Sequence, residues 1–181
     1  ETAVNAEDSF KEMSKKTISI DPDFLYKPLK IETTNVLFWG CLHLNHLCEH
    51  WETPLWKQRG YGSAQEHFDA LIMNWNSKAD NETVGFLLGD SVFGKGADKN
   101  LETFFNAIKF KRIYLMMGNH YAGISQILDR LDTNIWQVSE GKEVIFIPNY
   151  FEIFVDGQPI TMSHYPILSW NGAARGSWML Y

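Results

Sequence analysis

The stretch "RIYLMMGNH", residues 112–120, is an apolar run that ends in Gly118, Asn119 and His120. A short apolar run bounded by turn-forming residues predicts a buried strand. Gly118 and Asn119 both tolerate a positive φ, so an ordinary turn would explain them and leave His120 without a role. The rest of the chain therefore has to decide whether this loop carries chemistry.

Two earlier stretches predict buried strands of the same kind, "VLFWG" at 36–40 and "TVGFLLGD" at 83–90. Between them, "SAQEHFDALIMNWNSK" begins with Ser63 and Glu66 at the spacing of a capping box, which predicts a helix. "NLETFFNAI" predicts a second helix with Asn100 as its cap, and "ISQILDRLD" predicts a short third helix. Strands and helices thus alternate over the first two thirds of the chain.

The last third of the chain is predicted to be strand after strand, in "EVIFIPN", "YFEIFVDG" and "QPITMSHYP", with a hairpin turn at Asp156-Gly157. An α/β layered domain with a mixed sheet follows, and we place it at residues 36–181. Residues 1–35 lack sustained periodicity and are predicted to form an N-terminal arm outside the core.

The composition narrows the class of protein. With 181 residues, of which 45% are apolar and 21% charged, the chain fits one globular domain. Its net charge of −6 offers no basic field for a nucleic-acid backbone. No apolar run approaches the roughly 20 residues that span a bilayer. The two cysteines, Cys41 and Cys48, are too few for a disulfide framework. We therefore expect a cytoplasmic protein without membrane contact.

Polar clusters occur at the ends of four apolar stretches: "GCLHLNH" from residue 40, "GD" at 89, "GNH" at 118 and "SHYP" at 163. The strand ends of open α/β sheets form a ligand crevice, so clusters far apart in sequence can meet there. Thiol, imidazole, carboxylate and amide groups are ligands of divalent transition metals. The predicted ligands are Cys41 and His43, which an extended backbone would turn toward one cation, together with Asp90, Asn119 and His164.

Each of these residues also has a structural explanation. Asp90 can begin a loop, His164 can be a core histidine with satisfied hydrogen bonds, and Cys41 can be a small buried hydrophobe. His46 and His50 are predicted to be surface residues. A metal site is favoured because four independent strand ends all carry ligand-type groups after glycine or serine.

The order "GCLHLNH … LLGD … MMGNH … MSHYP" resembles the calcineurin-like metallophosphoesterase family over residues 36–172, with small bacterial and phage-type members most similar. The family pattern is D-x-H, G-D, G-N-H-[DE], a lone His, and G-H-x-H. The resemblance implies a sandwich of two mixed sheets flanked by helices, and a site for two divalent ions, which would be Mn, Zn, Fe or Mg. It assigns His43 to the first ion, Asp90 to both ions, and Asn119 and His164 to the second. It also implies that His120 is an outer-sphere catalytic residue facing the scissile phosphate.

Three departures from the family pattern occur at site positions. Cys41 replaces the first aspartate and favours a softer ion such as Zn or Fe. Tyr121 replaces the acidic residue after G-N-H, and no G-H-x-H occurs before Tyr181. Because "GSWMLY" is a strand-like run of the sort that leads into Gly-His, we expect the gene to continue beyond Tyr181 with that block, or else the isolated chain to be inactive.

The leading hypothesis is a hydrolase of phosphomonoesters or phosphodiesters in a bacterial or phage-infected cell, acting through two metal ions and an activated water. The alternative is a degenerate phosphoesterase fold that serves as a binding or structural module, for example in a phage-related assembly. A third hypothesis, nucleic-acid processing, is not supported by the acidic charge. The aromatic and basic loop 51–62 can contact a base and phosphate or pack as a lid, so the substrate stays open.

Overall fold

Four parallel strands form the centre of the structure, a computed structural model that describes residues 27–46, 53–94 and 96–181. The strands are β2 (Val36–Trp39), β3 (Val84–Leu87), β4 (Arg112–Met116) and β6 (Lys142–Ile147), and β5 (Ile135–Ser139) adds an antiparallel edge. The strand order is β2-β3-β4-β6-β5. The predicted strands at 36–40, 83–90 and 112–120 are confirmed. Strand β5 was not predicted, because its residues alternate between exposed and half-buried and form no continuous apolar run.

A second mixed sheet has the order β1-β7-β8-β9, formed by β1 (Leu29–Ile31), β7 (Tyr150–Val155), β8 (Gln158–Ser163) and β9 (Trp178–Leu180). The antiparallel hairpin of β7 and β8 is the predicted one. Its turn residues Asp156 and Gly157 have φ angles of 48° and 78°, as a two-residue type I′ turn requires. The predicted α/β class with mixed sheets is therefore confirmed.

Strand β1 corrects the prediction that residues 1–35 form an arm outside the core. Leu29, Lys30 and Ile31 pair in parallel with residues 153–155 of β7. Leu29 and Ile31 pack against the apolar core between the two sheets. A strand of three residues is too short for periodicity to reveal it. The rest of the predicted arm up to residue 26 lies outside the described residues.

Four helices among the described residues connect the strands: α1 (Leu55–Gln58), α2 (Ala64–Asn76), α3 (Ala97–Ala107) and α4 (Ala122–Leu128). The predicted cap of α2 is confirmed, because the Ser63 hydroxyl accepts from the Glu66 amide at 3.0 Å. The Glu66 carboxylate in turn accepts from the Gly62 amide at 2.6 Å. The predicted cap of α3 is wrong, since Asn100 lies inside that helix, which begins after Gly96. None of the helices in the described ranges has the length and apolarity to cross a bilayer.

Apolar side chains hold the five-stranded sheet from both faces. Helices α2 and α3 cover one face, where Trp75 packs so closely that a Cβ on Gly85 of β3 would lie 2.6 Å from its ring. The second sheet covers the other face. A row of stacked aromatic rings crosses that interface, with centroids 4.9–6.5 Å apart, and consists of Phe38, Phe86, Tyr114 and Phe151. The ends of β2, β3 and β4 are fixed by this packing, and the site lies at those ends.

Candidate metal centre

The predicted site residues after β2, β3 and β4 meet around Asp90, whose side chain is 6% exposed. Its Oδ1 accepts from the backbone amides of Asn119 at 2.9 Å and His120 at 3.0 Å. Its Oδ2 lies 3.8 Å from Nε2 of His43 and 3.8 Å from Nε2 of His120. The G-N-H loop thus holds one carboxylate oxygen through its backbone, and two imidazoles approach the other.

Two glycines permit this close approach of chain segments. Gly89 and Gly118 have φ angles of 102° and 75°, which are disfavoured for any residue with a side chain. A Cβ on Gly118 would overlap Oδ1 of Asp90, and a Cβ on Gly89 would overlap the ring of His164. The glycines of "GD" and "GN" are therefore required by the contacts of the site as well as by the turns.

His164, which follows β8, brings the second sheet to the same place. Its Nδ1 lies 2.8 Å from the carbonyl of Leu88, and because a carbonyl can only accept, Nδ1 carries the proton. In the neutral ring the other nitrogen, Nε2, then has a lone pair. That Nε2 lies 2.9 Å from Oδ1 of Asn119 and 3.4 Å from Oδ1 of Asp90. The Nε2 lone pair thus faces two side-chain oxygens, an arrangement that a bound cation would join.

This donor set has the chemistry of a metal site. Imidazole nitrogen, carboxylate oxygen and amide oxygen suit divalent ions such as Mn and Zn. Two ligands of one tetrahedral ion with bonds of about 2.1 Å lie about 3.4 Å apart, and the distance between His164 and Asp90 is 3.4 Å. Within the described ranges, no group of three or more His, Cys, Asp and Glu side chains is arranged to hold an ion as it stands. We call Asn119 and His164, with Gly89 and Gly118, the Asn119–His164 side of the site.

The loop after β2 forms the other side of the site, and its backbone differs from the prediction. Cys41 and His43 are not in extended conformation but have φ angles of 53° and 51°, and Asn45 follows at 59°. Leu42 packs into the core, while Cys41 is exposed, which excludes the buried-hydrophobe explanation. Such conformations cost about 1–3 kcal/mol each for non-glycine residues. Arg59 holds the loop by donating to the carbonyls of Cys41 at 2.7 Å and Leu42 at 2.9 Å.

Protonation also distinguishes this Cys41–His43 side, which we define as Cys41, His43, His46 and Arg59. Although Cys41 is exposed as a residue, partial burial raises the pKa of its thiol, with the charge of Asp90 acting in the same direction. Burial lowers the pKa of His43 to about 4 and outweighs the opposing effect of Asp90. At neutral pH His43 is therefore neutral and Cys41 is a protonated thiol.

His46, which the sequence predicts to be a surface residue, is half-buried. Its ring packs against Phe93, with centroids 4.2 Å apart, and its Nδ1 lies 3.1 Å from Nδ1 of His43. Burial lowers its pKa as well. The signal in the sequence was the H-x-x-H spacing, because a turn closed by the 3.2 Å bond from the His46 amide to the His43 carbonyl places the rings side by side. His50 and Cys48 lie outside the described residues.

Asn149 is a further residue that sequence analysis did not single out. Its side-chain oxygen accepts from the Gly118 amide at 3.0 Å. Its backbone carbonyl accepts from the His164 amide at 3.2 Å. Asn149 thus joins the G-N-H loop to the end of β8, and the available signal was an asparagine directly after the apolar run "EVIFIP".

His120 lies at the open edge of the site, with 33% of its side chain exposed. Its ring meets Phe93 edge-on at a centroid distance of 4.7 Å. Tyr121 takes the N-cap position of α4, without a side-chain capping bond. In the predicted substrate loop, Tyr61 packs on His67 with centroids 5.0 Å apart, which supports the lid alternative for this residue. Trp51 of that loop is outside the described residues.

Comparison with known proteins supports the fold class. No protein-family model and no curated protein matches the chain. Among solved structures, the chain is similar to the crystal structure of a protein of unknown function, AQ665, from Aquifex aeolicus, with a TM-score of 0.50 and 18% identity. The similarity covers 72% of this chain and 60% of that chain, so this chain spans less than two thirds of its length. At this identity the likeness concerns the fold alone.

Proposed function

We propose that the protein is a metal-dependent phosphoester hydrolase of the calcineurin-like type, with its reactive centre at Asp90. One observation carries this proposal. Nε2 of His164 lies 2.9 Å from Oδ1 of Asn119 and 3.4 Å from Oδ1 of Asp90. Acceptor atoms this close repel one another, and a cation bound among them would remove that repulsion. The two mixed sheets and the order of the strand-end clusters agree with the family resemblance.

The residues divide into two ligand groups that share Asp90. Asn119 and His164 would hold one ion, and His43, with Cys41 as thiolate, would hold the other. The chemistry that divalent ions supply at such a centre is polarisation of the phosphoryl group and activation of water at neutral pH. Asp90 is fixed by two backbone amides, so neither ligand group has to reorganise it.

His120 is the best-placed general acid. Its backbone amide is tied to Asp90 and its ring is held by Phe93, yet a third of the side chain faces solvent, where a substrate would enter. In the reaction, water would form the new P–O bond and lose a proton. His120 would donate a proton to the leaving oxygen as the old P–O bond breaks. A positioned general acid contributes about 100- to 10,000-fold to the rate.

The proposal is tested by incubating the EDTA-treated, full-length protein with Mn²⁺ or Zn²⁺ and bis-p-nitrophenyl phosphate or p-nitrophenyl phosphate. We expect metal-dependent release of p-nitrophenol that is lost in Asp90→Asn and reduced in His120→Asn. Absence of turnover with every metal and both esters would refute it.

A second candidate function is a phosphoesterase fold retained as a binding or structural module, as in a phage-related assembly. It is favoured by one observation: the position of the first family aspartate is occupied by Cys41, whose thiol pKa is raised by burial and by Asp90. Such a thiol is a poor ligand until it is deprotonated. Elemental analysis separates the two candidates. Two equivalents of metal in the native protein would exclude the module, and one or none would support it.

A further inference from the structure

His43 and His46 form an imidazole pair at the edge of the site. Their rings stack with centroids 5.1 Å apart and an interplanar angle of 22°, and the two Nδ1 atoms are 3.1 Å apart. On the opposite side of its ring, Nε2 of His43 lies 3.8 Å from Oδ2 of Asp90. One nitrogen of His43 thus faces the site and the other faces His46.

A contact of 3.1 Å between two ring nitrogens is a hydrogen bond only if one carries a proton and the other a lone pair. Two arrangements satisfy this. In the first, His43 donates from Nδ1, so its lone pair is on Nε2 and points toward Asp90. In the second, His46 donates, and the proton of His43 sits on Nε2, 3.8 Å from the carboxylate and too far for a hydrogen bond. The first arrangement satisfies the single N–H of His43 and directs the Nε2 lone pair at the carboxylate, where a cation would be held between the two.

We propose that His46 is a positioning residue for His43: by accepting a hydrogen bond from His43 Nδ1, it holds the ring with the lone pair of Nε2 directed at the carboxylate of Asp90. This inference rests on the proposed function, in which Nε2 of His43 is a ligand. Metal-binding histidines generally donate their second ring N–H to a partner that fixes the tautomer and ring orientation. His164 has such a partner in the carbonyl of Leu88, and His46 supplies it for His43.

The surroundings of His46 hold it in this role. Its ring packs at a tilt against Phe93, and its amide closes the turn to the His43 carbonyl at 3.2 Å. The Phe93 amide in turn donates to the Leu44 carbonyl at 2.9 Å, so the two loops are joined beside the pair. Both imidazoles are therefore positioned by backbone bonds as well as by their own contact.

The tautomer is measured directly by long-range ¹H–¹⁵N correlation spectra of the histidine rings in the full-length, metal-free protein. We expect His43 to carry its proton on Nδ1 and His46 on Nε2. His46→Phe keeps a ring against Phe93 but removes the acceptor, and His43 should then shift toward the Nε2-protonated form. A wild-type His43 protonated on Nε2 would overturn the inference. This measurement needs neither metal nor substrate, so it decides the inference even if the proposed hydrolase activity is absent.

Metal affinity gives the second measurement, by calorimetric titration of the metal-free protein with Zn²⁺. His46→Phe should weaken binding by about 10- to 100-fold, the usual effect of losing such a partner. His46→Asn should restore most of the affinity, because its side-chain oxygen can accept near the position of Nδ1. Equal affinities of wild type and His46→Phe would overturn the inference, as would equal losses in both variants.

Discussion

On the Asn119–His164 side of the site, backbone groups hold most of the site side chains in place, whereas on the Cys41–His43 side other side chains hold them. Asp90 accepts two amides of the G-N-H loop, and His164 is fixed by the Leu88 carbonyl and by the close packing of Gly89. The loop of Cys41 and His43 instead has left-handed residues, held by Arg59 and by the imidazole of His46. The second arrangement therefore depends on contacts that a single substitution can remove.

Removing the shared carboxylate should disable both sides at once. We expect Asp90→Asn to lower metal-dependent hydrolysis by more than about 100-fold, since even the loss of a second-shell partner costs about 10- to 100-fold. Asp98→Asn is the matched control, because Asp98 lies on helix α3 and pairs with Arg130, so the variant removes a carboxylate elsewhere in the protein. Initial rates with bis-p-nitrophenyl phosphate measure the effect. Equal losses in both variants would show that the site is not centred on Asp90.

The backbone-built side can be broken without touching a ligand. Gly118→Ala should destabilise the fold by about 1–2 kcal/mol for its left-handed conformation and also displace Asp90. Gly176→Ala is the control, since Gly176 has a φ of 82° but open space around it. Urea unfolding and metal titration of both variants separate strain from contact. Only Gly118→Ala should lose metal affinity, and unchanged affinity there would contradict the close packing at Asp90.

The side-chain-built side should respond to loss of its arginine brace. We expect Arg59→Ala to weaken metal binding by about 10-fold, because the carbonyls of Cys41 and Leu42 lose their donor. Lys57→Ala removes the same charge from helix α1 and serves as the control. If both variants lose affinity equally in calorimetry, the effect of Arg59 is its charge and not its hydrogen bonds.

Cys41 decides which ion that side prefers. Cys41→Asp should preserve or raise activity with Mn²⁺ or Mg²⁺, since a carboxylate suits harder ions than a thiolate does. Cys41→Ala should lower the metal content of the purified protein, measured by elemental analysis. An unchanged metal content in the alanine variant would remove Cys41 from the ligand set.

The smallest expected effect is on how the free energy of unfolding of the metal-free protein depends on pH. The pKa of His43 is about 4 in the folded protein and 6.5 ordinarily, so the unfolded chain binds more protons between these values. Stability should therefore fall as the pH falls through this window. His43→Asn should show a shallower loss between about pH 7 and about pH 4.5 in urea unfolding with EDTA present. A steeper loss in the variant would contradict the assignment of a buried neutral imidazole.

The two sides also differ in how far the sequence could predict them. Asp90, Asn119 and His120 follow β3 and β4, whose buried apolar runs pair in parallel, so the ends of these strands meet by rule. His164 follows β8, a buried strand of the second sheet. No such rule predicts the conformation of the Cys41–His43 loop. Cys41, His43 and Asn45 all have left-handed backbone, but their residue types are equally compatible with an extended backbone. His46 was missed for that reason.

Outside the site, the missed features have similar causes. Strand β1 has three residues, and β5 has alternating half-buried residues at a sheet edge, so neither produces a continuous apolar signal. Asn100 was predicted to be a cap from its residue type alone, whereas the helix begins at Ala97 after a left-handed Gly96. Long buried strands and the Ser63 cap were predictable because one local pattern determines each of them.

The most direct test of a metal centre shared through Asp90 is calorimetric titration of the full-length, metal-free protein with Zn²⁺ or Mn²⁺. Because one side is held mainly by backbone and the other mainly by side chains, we expect a tighter and a weaker binding event. His164→Asn should remove the tighter event, His43→Asn the weaker one, and Asp90→Asn both. Absence of binding in the wild type, or binding that Asp90→Asn leaves unchanged, would contradict the proposed centre.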